Sequence, residues 1–227
     1  MRSKFDEQLA LLNRDLTKMG SLCEEALALA AKALANADGQ TAAKIAPIDS
    51  EIDQMERTIE SLCLKLLLQQ QPVARDLRQI SAALKMITDM ERIGDQASDI
   101  AEIIGFLNGR IGTDAQYICQ MAVAAMRMVT ESVEAYVKRD VAMAEATIQH
   151  DDVVDDLFLK VKESLIQMIS ENPKDGEYAL DLLMIAKYFE RIGDHATNIA
   201  EWVVFSVTGV HLSLIHISEP TRHSLIS

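Results

Sequence analysis

The chain has 227 residues, 49% of them hydrophobic and 25% charged, with only 4% aromatic, four prolines and nine glycines. Long stretches free of helix breakers favour helices and exclude a β-sandwich, which needs frequent turn residues. A formal net charge of -13 removes the basic footprint of a nucleic-acid binder, and it repels anionic lipid headgroups unless a local basic patch compensates.

Phe5, Leu9, Leu12, Leu16, Met19, Cys23, Ala26, Ala30 and Ala33 recur in steps of four and three, a heptad seam that predicts a helix over 5–36. Asn36-Ala37-Asp38-Gly39 ends it. Ile45, Ile48, Ile52, Met55, Ile59, Leu62 and Leu66 mark a second helix over 41–70, broken by Pro72. A third spans 73–107 and closes at Asn108-Gly109. The pattern then restarts with Ile118, Ala122, Ala125, Val129, Ser132 and Tyr136. A fifth helix covers 141–170, Asn172-Pro173-Lys174-Asp175-Gly176 forms a turn, and a sixth covers 178–207. Short connections make successive helices antiparallel neighbours. The expected fold is all-α: two tandem antiparallel three-helix bundles, 1–109 and 110–211. Residues 212–227 lack any heptad and read as an aberrant tail, so His216 and His223, with His211 just before them, are not taken as a metal site. Cys23, Cys63 and Cys119 sit in apolar patterns without paired spacing and are expected as buried thiols in a reducing compartment. Arg2 and Lys4 lead into Asp6 and Glu7 rather than an apolar run, so neither a signal peptide nor a membrane span is expected, and the location is cytoplasmic.

Glu91-Arg92-Ile93-Gly94-Asp95 recurs 99 residues later as Glu190-Arg191-Ile192-Gly193-Asp194. Ala97, Ile100, Ala101 and Glu102 likewise return as Ala196, Ile199, Ala200 and Glu201. A match at one fixed offset marks an internal duplication. The repeated block is mostly charge and glycine, which makes it the candidate functional region.

Residues four apart share a helix face, about 6 Å apart along the axis. Glu91, Asp95 and Asp99 form one such row; Glu190 and Asp194 form the other, with Asn198 in the place of Asp99. The preceding helices carry Asp49 with Asp53 and Asp151 with Asp155. Counting from the turns near Gln71 and Pro173 at about 1.5 Å per residue brings each aspartate pair level with a Glu/Asp pair across its hairpin. Four carboxylates so placed repel one another strongly unless cations lie between them. Oxygen-only donors predict hard divalent or trivalent cations such as magnesium, manganese, calcium or iron. The competing reading is a solvated face neutralised by Arg92 and Arg191. Gly94 and Gly193 sit mid-helix at a cost of about 1 kcal/mol each relative to alanine, which predicts close helix packing. His195, matched by Gln96 in the first copy, reads as a surface histidine. Di-iron bundles use Glu-x-x-His; neither copy has it, and no phosphate loop or nucleophile elbow is present. No enzyme activity is expected.

The doubled block closely resembles the PhoU family. Gln70-Gln71-Pro72-Val73-Ala74-Arg75-Asp76-Leu77-Arg78, leading into Met90 to Asp95, is similar to the family's first signature. Tyr188 to Glu201 is similar to the second. The resemblance implies two three-helix bundles. It implies metal binding through Glu91 with Asp95 and Glu190 with Asp194, faced by Asp49, Asp53, Asp151 and Asp155. It further implies a cytoplasmic, commonly dimeric negative regulator of phosphate uptake and of the phosphate-starvation response. Such a protein links the ATPase of the phosphate ABC transporter to a sensor histidine kinase, and it reaches the membrane only through those partners. A metal-storage bundle and a metal-free scaffold are the alternatives from other classes.

Overall fold

The computed structural model describes residues 2–69, 73–107, 109–110 and 115–210. Among these the regular structure is helical throughout: α1 (Arg2–Asn36), α2 (Gly39–Ala42), α3 (Ile45–Gln69), α4 (Ala74–Phe106), α5 (Gln116–Lys138), α6 (Val141–Gln149), α7 (Asp151–Glu171) and α8 (Gly176–Thr208), with a 3-10 turn at Pro173–Asp175. The stops expected at Pro72 and Asn108, and the tail 212–227, lie outside the described residues.

The six expected helices are present, but two of them are interrupted. A helix running unbroken from 41 to 70 would press the Pro47 ring against the Ala43 carbonyl and lack a donor at Pro47. The chain instead turns at Ala43 and Lys44, and Pro47 falls in the first turn of α3, where no intrahelical donor is needed. The second copy has Gln149 at the matching position and tightens only at His150, whose N–H is shared between the carbonyls of Ala146 and Thr147, both at 3.1 Å.

Both copies leave their first helix in the same way. Ala37 and Arg139 adopt φ of 49° and 58°, and the aspartate that follows each is extended and caps the next helix. Asp38 accepts from the Gln40 N–H and Asp140 from the Met143 N–H, each at 3.0 Å. Gly39 does not supply the left-handed turn; it is the first residue of α2. The strain falls on Ala37, where a non-glycine residue is disfavoured by about 1–2 kcal/mol.

α3 packs on α1 and α4, α7 packs on α5 and α8, and the two copies meet through α4 on α8 and α1 on α5. Gly20 permits the second of these approaches: a β-carbon there would stand 2.9 Å from Val133 Cγ1. The buried side chains form one continuous core through both copies, from Leu12 and Leu16 to Val203 and Val204. Each copy is a three-helix unit, but neither has a core of its own. Cys23 and Cys63 are buried as expected, whereas Cys119 is only half-buried. Burial raises all three thiols, Cys63 to about 12, which suits packing rather than nucleophilic chemistry.

Ala37→Gly should raise the unfolding free energy by about 1 kcal/mol by relieving the left-handed strain. Urea unfolding of the two proteins measures this directly, with no change expected in the slope against denaturant.

Candidate functional site

The repeated motif lies on α4 and α8, and its facing aspartates lie on α3 and at the start of α7. The two glycines set the separation. A β-carbon at Gly94 would stand 2.7 Å from Asp49 Oδ1 and 3.0 Å from Ile52 Cδ1. One at Gly193 would stand 3.1 Å from Asp151 Oδ1 and 3.5 Å from Val154 Cγ1. The expected hairpin register is therefore realised in both copies, with an aspartate oxygen in each pressed against the bare backbone of the opposite helix.

The structure brings Asp49, Asp53, Glu91, Asp95 and Asp99 onto one face. Burial raises the pKa of Asp49; the hydroxyl of Ser98 lowers it, and Asp95, Asp53 and Asp99 raise it further. Ser98 donates to Asp49 Oδ2 at 2.8 Å, while Asp49 Oδ1 is buried without a hydrogen-bond partner. Burial also raises Glu91 and Asp95, with Arg92 opposing. Arg92 Nε lies 3.5 Å from Glu91 Oε2, an exposed contact of little energetic weight. Glu56 joins this face, raised first by burial and then by Glu60 and Asp53. Its place in the row Asp49, Asp53, Glu56, Glu60 (steps of four, three and four) was the sequence signal for it.

On the second face, burial and then Asp194, Asp155 and Glu190 push Asp151 up to about 6. Asp194 is raised by burial first and by Glu190 next, with Lys187 opposing. Here Lys187 pairs with Glu190, and Phe158 lies under the Lys187 ammonium, 5.6 Å away. The matching residues in the first copy are Thr88 and Glu56. The second face is therefore partly neutralised by a half-buried lysine, the first only by the exposed Arg92 and by Arg57, which lies 3.7 Å from Asp53.

Asp99 and Asn198 reach beyond their own rows. Asn198 Nδ2 donates to Asp89 Oδ1 at 3.2 Å, and His195 Nδ1 lies 2.9 Å from the same oxygen. Asp89 is on α4 and its partners are on α8. The counterpart contact joins Tyr188 to Asp99, and burial followed by the Asp99 charge and hydrogen bond raises the tyrosine pKa. Subtracting the 99-residue offset turns one contact into the other, so both are made by a pseudo-twofold crossing of α4 and α8. The expectation that His195 is a surface histidine is corrected: its side chain is 18% exposed and paired with Asp89, itself 15% exposed.

Oxygen donors, a buried carboxylate oxygen without a partner and a glycine that leaves room beside it fit a hard cation. As arranged, no three His, Cys, Asp or Glu side chains among the described residues converge on a point where one ion could be held. Coordination through three of them therefore requires side-chain rotation. A groove of about 730 Å³ between α5 and α7, lined by Cys119, Val123 and Val153 among others, contains none of these carboxylates.

The PhoU domain pattern matches twice, over residues 16–104 and 118–203. The chain belongs to the PhoU family. The phosphate-specific transport system accessory protein PhoU homolog of Clostridium acetobutylicum is 36% identical over 215 residues, covering 94% of this chain and 98% of its own. The crystal structure of PhoU from Pseudomonas aeruginosa superposes with a TM-score of 0.87 at 34% identity, covering 91% of this chain and all of that one. The phosphate transport system regulatory protein PhoU from Streptococcus pneumoniae gives 0.83 at 26% identity, covering 92% and 99%. Both PhoU repeats contain a complete carboxylate face, so the duplication of the family domain is also a duplication of the candidate site.

Gly94→Ala should destabilise the fold by about 1–3 kcal/mol, since overpacking against Asp49 and Ile52 outweighs the better helix propensity of alanine. Gly193→Ala, with its looser contacts, should cost less; paired thermal melts rank the two. In chelator, Asp151→Asn should melt above the parent protein at pH 7. A carboxyl whose folded pKa is raised costs stability in full above that pKa, and the cost shrinks below it until the unfolded chain is protonated as well. The gap should therefore narrow as pH falls below about 6 and close only towards the ordinary carboxylate value of 3.8. Melting the pair across that window checks the sign.

Proposed function

We propose that this protein is a metal-binding regulatory adaptor of phosphate uptake. In this reading it joins the ATPase of a phosphate ABC transporter to a sensor histidine kinase and restrains the phosphate-starvation response when phosphate is plentiful. It works in the cytoplasm as a homodimer. The names of the relatives support the transport-accessory and regulatory part: a phosphate-specific transport system accessory protein and a phosphate transport system regulatory protein. No described helix is long and apolar enough to cross a membrane, which agrees with action through partners.

The observation that carries the metal part is Asp49 Oδ1, buried without a partner in a face of six carboxylates. Asp49, Asp53, Glu91, Asp95 and Asp99 would hold cations on the first face, and Asp151, Asp155, Glu190, Asp194 and Asn198 on the second. The cation would be divalent magnesium, or manganese or iron in a divalent or trivalent state, and its chemistry there would be to cancel repulsion between neighbouring helices. A hard cation in such a place ties α3 to α4, or α7 to α8, and stabilises the folded state by linkage. The relatives' names are those of an accessory and a regulatory protein, so the reading is regulatory rather than enzymatic. That no three donors converge among the described residues favours a second reading, a metal-free scaffold.

Elemental analysis of protein purified without chelator separates the two. Under the proposal, metal copurifies, is lost in Asp95→Ala with Asp194→Ala, and the doubly substituted strain expresses its phosphate-starvation genes in high phosphate. Metal-free wild-type protein with normal repression by the double variant would leave only the scaffold.

A further inference from the structure

We infer that the end of the molecule where α4 begins and α5 and α8 finish is a binding site for a phosphate-type oxyanion, held by Arg75, Arg78 and Arg139. Three elements meet there. Arg75 and Arg78 are three residues apart on the first turns of α4, so their side chains leave one face with β-carbons about 5–6 Å apart. The Tyr136 hydroxyl donates to the Gln79 carbonyl at 3.3 Å, which fixes the end of α5 against the start of α4. Arg139, one turn further and in the left-handed conformation, is thereby turned towards the same place. The Arg78 side chain lies along Gly209, with Nε 3.6 Å from where a β-carbon would stand. That Nε is buried and makes no hydrogen bond.

Among the described residues, Asp76 offsets these charges only in part. None of the three guanidinium groups forms an ion pair with a described residue. Arg139 is half-buried; burial first, and then Arg75 and Arg78, disfavour its charged form. The ends of α5 and α8 supply about half a negative charge each and the start of α4 about half a positive one; with Asp76 they leave roughly one and a half positive charges unmatched. A chain of net charge -13 has carboxylates to spare and still leaves this cluster open. The start of α4 adds donors of its own: Val73 provides no side-chain cap, so the first N–H groups are unclaimed within the helix. Guanidinium forks beside free helix N–H groups match the tetrahedral, multiply charged geometry of phosphate.

The duplication contains its own control. The pseudo-twofold places Lys174, Glu177 and Ala37 where the cluster has Arg75, Arg78 and Arg139. There the neighbouring Asp175 is engaged by Arg110 at 2.7 Å. One end of the molecule has become an oxyanion site and the other has not. Val73 and Leu77, beside Arg75 and Arg78 along the chain, are exposed, so the phosphate can be free or carried by a lipid headgroup.

The test uses the full chain carrying Asp95→Asn and Asp194→Asn, in chelator, so that the carboxylate faces contribute nothing. Calorimetric titration with inorganic phosphate is run beside flotation with phosphatidylglycerol vesicles and neutral phosphatidylcholine vesicles. Saturable phosphate binding that weakens about tenfold or more in Arg75→Gln with Arg139→Gln, and not in Lys174→Gln, assigns the free anion. Binding only to the anionic vesicles, lost in the same arginine variant, assigns the headgroup. If Arg139→Gln loosens the fold in a thermal melt, Arg75→Gln alone, at an exposed position, carries the comparison. The inference is overturned if neither probe binds, or if the arginine variant binds as tightly as its parent.

Discussion

The close approach of α3 to α4 at Gly94, repeated by α7 and α8 at Gly193, is the contact on which both carboxylate faces depend. A helix that gives up a side chain there loses about 1 kcal/mol of propensity, and what it admits is an aspartate oxygen rather than an apolar group. The packing that draws the helices together, Ile52 and Ile93 in one copy and Val154 and Ile192 in the other, also forces like charges to within interaction range. Burial and mutual repulsion then raise the carboxyl groups together. Hydrophobic burial holds the helices against that repulsion, so the faces are electrostatically loaded before anything binds to them.

The two faces began as copies and are no longer equal. Glu56 extends the first, whereas Phe158 and Lys187 occupy matching ground beside the second. They are also joined. Asp99 belongs to the first row and bonds to Tyr188, two residues before Glu190 of the second. Asn198 belongs to the second row and bonds to Asp89, two residues before Glu91 of the first. A single α4–α8 crossing thus links both rows through short polar contacts over a shared core. The two faces are joined by packed helices, which are stiff, rather than by a flexible linker between two domains.

The same crossing shapes the ends of the molecule. Because α4 and α8 run past each other about a pseudo-twofold, the start of each lies near the finish of the other. Small sequence differences at those ends are amplified by proximity: Arg78 against Glu177 and Arg139 against Ala37 convert a mixed-charge corner into a cationic one. The overall negative charge of the chain conceals this, since net charge is a sum over the surface and binding depends on the local field.

The sequence by itself determined the helices, their order, the duplication and the register of each hairpin. Periodicity reports which residues face inward, and the rise per residue converts a count from a turn into a height along a helix. That reasoning sufficed to set Asp49 and Asp53 against Glu91 and Asp95, and their counterparts against Glu190 and Asp194, because each set lies on neighbouring helices joined by a short turn. It missed the interruption at Ala43 and Lys44, although Pro47 announced it. Only the tertiary structure decided what meets across the copies: Asp89 with His195 and Asn198, Tyr188 with Asp99, and Arg139 with Arg75 and Arg78. Those partners are separated by 60 residues or more. No local spacing encodes such a meeting, which follows from the angle and depth at which the two copies pack into one core.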